Sequence, residues 1–145
     1  MQPLRIEPRA VVMHRGHPLA GRAALKVVDV IDETFIGYHP AVQPIWAGFH
    51  SLDDHRGCPP EHHTDDDALT SLQMLGIMSS PRALTTVPYA DAKLAMQVLP
   101  EIASVPIADA APAVVSLVWQ RDAGNPLIED LVGIAKRLCP PSDEL

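Results

Sequence analysis

The chain has 145 residues, the size of one domain or one large subdomain and long enough to bury a real core. Its 47% hydrophobic and 20% charged content excludes a largely disordered chain, and 4% aromatic content requires a core of aliphatic residues. Eleven Lys and Arg against 18 Asp and Glu leave a net charge of −7, which a phosphate backbone repels. 

The cations Arg5, Arg9, Arg15, Arg22 and Lys26 are interleaved with Pro and Gly rather than set on one helix face. Direct nucleic-acid binding by this chain is therefore not expected. Cys58 and Cys139 do not make a disulfide framework, residues 1–5 do not open an apolar leader, and the longest apolar run, 112–119, is too short to span a bilayer. A reducing cytoplasm and no membrane association are the expectation.

Fifteen Pro and eight Gly cut the chain into short elements. Residues 10–13 read as a buried strand, ending in the turn-rich stretch 15–22. Residues 25–32 have spacings suited to a short helix, and 34–38 form a second strand stopped by His39-Pro40. A helix is expected from Pro44 to about Arg56, with Ile45, Phe49 and Leu52 facing inward and Gly57 near its C-cap. Residues 59–64 read as a polar extended edge. A helix capped by Thr64 or Asp65 then runs to Met78, burying Leu69, Leu72 and Leu75 or Gly76, with Asp66 and Asp67 at its positive dipole end.

Residues 83–87 form a strand ending at Pro88, 91–96 one or two helical turns, and 102–107 and 113–119 the last two strands. Asn125 as N-cap and Pro126 open a closing helix to about Leu138, stopped by Pro140-Pro141. The alternation of strands and helices predicts α/β layering over a mostly parallel sheet.

The order of motifs is specific. Arg9-Ala10-Val11-Val12-Met13 followed by His17-Pro18-Leu19-Ala20-Gly21 resembles the strand-then-HPLA stretch in the effector-binding domain of LysR-type transcriptional regulators. Residues 27–38, Thr85-Thr86-Val87-Pro88, 113–122 and 125–138 resemble, in order, that family's acidic turn and strand, its apolar strand ending in proline, and its closing strand and helix. Two departures are visible: Ser79-Ser80-Pro81-Arg82-Ala83 replaces a glycine-rich turn, and 55–67 is an acidic, histidine-rich stretch.

The resemblance implies an α/β fold like type-2 periplasmic binding proteins. It casts residues 1–145 as a partial effector-binding domain without a helix-turn-helix. Residues of about 14–112 would form the second subdomain, about 1–13 and 113–139 elements of the first, and 140–145 a tail. The strands at 10–13 and 113–119 would then expose apolar sheet edge and favour self-association. The implied partner is a small-molecule effector, a carboxylate or an aromatic acid. Ligands of such sheets sit outside the strand C-terminal ends, which here are Tyr38-His39-Pro40 and Val87-Pro88. Tyr38, His39 and Gln43 add hydrogen-bonding groups, and the segment after Pro40 leads into a helix N-terminus. The plainer alternative is that these residues simply end two strands.

A metal site is the rival reading. His55, Cys58, His62 and His63 supply zinc-type donors close in sequence. Only one cysteine is present there, and His62 and His63 would point to opposite faces of a strand, so a solvated edge explains them better. A stand-alone solute-binding module is a further alternative. No Gly-x-Ser-x-Gly elbow, phosphate loop or His-Glu-x-x-His helix appears, and nothing orients a base for Cys58. Neither catalysis nor a cofactor is expected.

Overall fold

The computed structural model describes residues 1–120 and 124–139, which divide into two compact units. The larger, Pro8–Ala111, holds β2 (Arg9–His14), α1 (Val27–Val30), β3 (Phe35–Tyr38), α2 (Pro44–Ser51), α3 (Asp53–Arg56), β4 (His63–Ala68), α4 (Ser71–Ile77), β5 (Leu84–Pro88), α5 (Tyr89–Val98) and β6 (Ile102–Pro106). The smaller consists of Met1–Glu7 and Pro112–Leu145, with β1 (Gln2–Glu7), β7 (Ala113–Leu117) and α6 (Leu127–Leu138).

The larger unit is built on a five-stranded sheet in the order β4-β3-β5-β2-β6. β2 runs antiparallel to both β5 and β6, while β3 pairs parallel with β4 and β5. Four strands therefore share one direction and end on one sheet edge, and β2 begins there. Period-two alternation divides the sheet into two cores. Ala10, Val12, Ile36 and Val87 pack with Met74 of α4, Met78 at its C-cap and Ala92 of α5 on one face. Val11, Met13, Phe35 and Leu84 pack with Leu25, Val30 and Leu52 on the other. This two-sided burial explains the unbroken apolar run in β2. Its residues are not the open sheet edge expected at 10–13: both of its sides are paired.

Several elements differ from the sequence-based reading. The expected helix through 65–67 is the edge strand β4, and the helix begins six residues later. Its start is set by Thr70, whose hydroxyl accepts Gln73 N–H while the Gln73 carboxamide accepts Thr70 N–H, a reciprocal capping box. Leu69 and Leu72 are exposed, and Met74 and Met78 point into the core instead. The three carboxylates of β4 face solvent, where like charges guard the strand against edge-to-edge pairing.

The helix expected over 44–56 breaks at Leu52, whose left-handed backbone (φ 63°) turns its buried side chain into the core. Ile45, expected inside, is 82% exposed, and the inner face carries Gly48, His50 and Ser51. Gly57 caps α3 at φ 80°, as its position suggested. The two turns expected at 91–96 extend to a ten-residue helix.

In the smaller unit, β1 and β7 form an antiparallel ribbon and α6 packs on β1. β1 is a strand that sequence reading missed, because Pro3 and Arg5 interrupt its alternation. The Asn125 side chain accepts Leu127 N–H at the start of α6, performing the expected capping chemistry. Leu127, Leu131, Ile134 and Leu138 form an exposed stripe along α6, and Ile6, Val114 and Val115 are exposed on the ribbon. Arg121, Asp122, Pro140-Pro141 and the tail 140–145 lie outside the described residues.

Candidate functional site

The strand-end edge of the larger unit is organised by a cation. Arg9, the first residue of β2, is 1% exposed. Its Nη1 donates to both Asp54 carboxylate oxygens at 3.1 and 2.8 Å, and its Nη2 donates to Thr86 Oγ1 at 2.9 Å and to the Phe49 carbonyl. The guanidinium also lies over the Phe49 ring, 4.2 Å from its centroid. Burial lowers the Arg9 pKa from its ordinary value, opposed by the hydrogen bonds and charge of Asp54. It remains a cation, as arginine does in proteins.

The carbonyls that end α2 are satisfied from β5. Thr86 Oγ1 donates to Phe49 O at 2.9 Å, and Thr85 Oγ1 donates to His50 O at 3.3 Å. With Arg9 at the same place, a helix C-terminus meets hydroxyl donors and a positive charge, both of which its dipole favours.

This attachment fixes an aromatic group. His50 Nδ1 lies 2.6 Å from the Thr86 carbonyl, which only accepts, so Nδ1 carries the proton and Nε2 is a free acceptor. Burial, with the Arg9 charge adding to it against the Thr86 hydrogen bond, pushes the His50 pKa down to about 4, so the ring is neutral near pH 7. Its ring lies 4.2 Å from Trp46, 5.4 Å from Phe49 and 5.7 Å from Tyr38, centroid to centroid. The Tyr38 hydroxyl meets Thr85 Oγ1 at 3.1 Å, and burial raises its pKa to about 12, keeping the phenol protonated.

Beside this group is a cavity of about 410 Å³. Trp46 and His50 of α2, Met74 and Met78 at α4, and Val87 and Pro88 of β5 contribute to its wall, with Ser71 and Asp91 adding polar groups. Of the residues singled out from sequence, Val87 and Pro88 line it. Tyr38 stands behind it against Trp46 and His50. β3 and β5 are parallel neighbours, so the Pro40 and Pro88 stops lie on the same edge.

His39 and Gln43 are exposed, and His39 Nδ1 accepts the N–H of Ala41. Pro40 lines a different depression of about 350 Å³, together with Tyr38 and Pro44. Sequence reasoning missed Arg9, Trp46 and His50 as residues of this site. Trp46, Phe49 and His50 stand at i, i+3 and i+4, a helical stripe that shares Phe49 with the stripe inferred but runs through Trp46 and His50 in place of Ile45 and Leu52.

The metal reading is not supported. His55 Nε2 lies 3.6 Å from Asp54 and accepts Ala111 N–H, His63 Nδ1 faces the Thr64 carbonyl, and Cys58 and His62 are exposed. Among the described residues no cluster of His, Cys, Asp and Glu could hold a metal ion. The four side chains are spread over the end of α3, a loop and an edge strand, so proximity in sequence does not become proximity in space.

Two outcomes follow from the anchor. Replacing Arg9 with Met or Lys should cost about 2–4 kcal/mol in denaturant unfolding, because neither satisfies Asp54, Phe49 O and Thr86 together. The exposed Arg22→Met should stay within about 0.5 kcal/mol. For His50, the unfolded chain binds a proton below pH 6.5 and the folded one only below about 4, so its contribution is full above 6.5 and is lost as pH falls toward 4. Between pH 7 and pH 5 the protein should lose roughly 2 kcal/mol through this group, and His50→Gln should remove that part of the pH dependence.

A family model described as the LysR substrate binding domain matches residues 1–140. No curated protein matches the sequence. Among solved structures, the fold is similar to the reduced form of OxyR (TM-score 0.68, 19% identity, 94% of this chain and 62% of that one). It is similar also to the regulatory domain of MetR from N. meningitidis (TM-score 0.67, 18% identity, 94% and 64%) and to the BenM effector-binding domain with its effector benzoate (0.66, 20%, 94% and 61%). The chain thus spans less than two thirds of the length of each. With the family model covering nearly every residue and the mixed α/β architecture agreeing with it, the chain belongs to the LysR substrate-binding domain family, whose fold is of the type-2 periplasmic-binding-protein kind.

Proposed function

We propose that this chain is the effector-sensing portion of a LysR-type transcriptional regulator. The larger unit is read as the second effector subdomain and the smaller as elements of the first. A small molecule is held in the cavity beside Trp46, His50, Val87 and Pro88, with Tyr38 supporting the wall and His39, Pro40 and Gln43 on the surrounding edge. The observation that carries this reading is the cavity's position: it opens next to the ends of parallel strands, where α/β sheets present ligands, and its volume of about 410 Å³ suits a small ligand.

A ligand moves a two-state equilibrium only through differential affinity. Contact with Trp46 and His50 reaches the sheet through the Arg9 and Thr86 bonds of α2, so a bound molecule has a mechanical path to β2. DNA reading is assigned to a longer parent or a partner, since Arg5 pairs with Glu7 and Arg9 with Asp54, leaving these cations committed within the fold. The family is one of regulators rather than enzymes. No helix among the described residues is long and apolar enough to cross a membrane, and cytoplasmic action is the matching assignment.

Of the ligand classes inferred from sequence, the aromatic ring is the part the cavity supports. Thermal unfolding against one- and two-ring aromatic acids, alcohols and amines should find compounds that raise Tm. Trp46→Ala should weaken a hit's affinity by about tenfold or more in calorimetry. Unchanged affinity would remove this cavity from the site.

Self-association is assigned to the smaller unit. The exposed stripe Leu127, Leu131, Ile134 and Leu138, with Val114 and Val115, is an apolar surface suited to a second copy. Light scattering after size exclusion should report a dimer or larger species, and a stable monomer at high concentration would contradict the assignment.

A further inference from the structure

The cavity has a polarity beyond its apolar wall. Among the described residues no Lys or Arg lines it. The nearest buried cation, Arg9, is occupied by Asp54, Phe49 O and Thr86. Three of the lining residues carry groups that accept, the Asp91 carboxylate, the Ser71 hydroxyl (which also donates) and the unprotonated Nε2 of His50, against one side-chain N–H donor, the Trp46 indole. The Trp46 ring, 43% exposed, adds an electron-rich face.

Resting on the sensing role given above, we propose that this cavity selects a small arylalkyl amine, bound as its ammonium, and discriminates against the carboxylate of the same shape. An ammonium carries three donors and no acceptor, matching the three acceptors of the wall, and its charge is balanced by Asp91. The aryl part lies among Trp46, Met74 and Val87, where ring and thioether contacts are favourable. A carboxylate entering the same space would leave water with no cation on the wall and only the Ser71 hydroxyl and the Trp46 indole N–H to donate to it, and would approach Asp91 with like charge. The volume of about 410 Å³ sits at the small end of ligand pockets, which fits a molecule of one or two rings.

The test compares three probes that share a ring and linker: 2-phenylethylamine, 2-phenylethanol and 3-phenylpropionate. Each is titrated by calorimetry at neutral pH into the full chain, into Asp91→Asn and into Trp46→Ala. The amine should bind at least about tenfold tighter than the acid, with the alcohol between them. Asp91→Asn should reduce the amine's advantage over the alcohol severalfold. Asp91 is an exposed residue in the first turn of α5, so this variant should fold, and its unfolding temperature checks that.

An acid that binds as tightly as the amine, or an amine preference untouched by Asp91→Asn, overturns the amine assignment while leaving the cavity as the sensing site. Failure of all three probes to bind, or binding that Trp46→Ala does not weaken, overturns both.

Discussion

The guanidinium of Arg9 is the constraint on which the site depends. It stands at the start of an interior strand and holds a carboxylate of α3, a terminal carbonyl of α2 and a hydroxyl of β5. Four elements separated by up to 77 positions in sequence therefore converge on one planar group with a fixed fork of donors. A point charge on a flexible stem could not set the same geometry. With the C-terminus of α2 pinned, Trp46 and His50 hang from the helix one turn apart and form the wall of the cavity.

Burying such a cation is costly unless its donors are met. Asp54 keeps 42% of its side chain in solvent, so this is a half-wet pair with one fully buried partner. Its electrostatic gain is correspondingly modest, and the specific geometry is the larger benefit. The Phe49 ring under the guanidinium and the Thr86 hydroxyl add to the arrangement without a second buried charge, and of the guanidinium nitrogens only the buried Nε is left without a partner among the described residues. The neutral state of His50 belongs to the same logic: a protonated imidazole beside Arg9 would place two cations in a dry site, so it is held as a neutral ring that donates through Nδ1.

Much of the architecture was legible because the larger unit obeys simple periodic rules. The apolar run Ala10-Val11-Val12-Met13, the Pro40 and Pro88 stops and the Asn125-Pro126 start each express one local preference, and the structure follows them. The acidic strand β4 was not legible. Asp-rich sequence at 65–67 favours a helix start, and only pairing with β3, invisible locally, holds it extended. The site was half legible. Val87 and Pro88 are named by strand-end rules, whereas His50 needed the break at Leu52, because a helix continuing to Arg56 would put a different stripe inward. Arg9 read as one more surface cation, since nothing near it in sequence announces Asp54.

The larger unit thus acts as a sheet edge that displays α2 at a fixed height over β5, with a small empty space under its aromatic stripe. The methionines give a direct test of whether a ligand enters that space. Met74 and Met78 line it, while Met13 lies in the opposite core and Met96 outside the cavity wall. Methyl NMR of the methionines during titration with 2-phenylethylamine or the tightest compound found by thermal unfolding should therefore shift Met74 and Met78 together and leave Met13 in place. Movement of Met13 or Met96 with Met74 and Met78 unchanged would contradict the account.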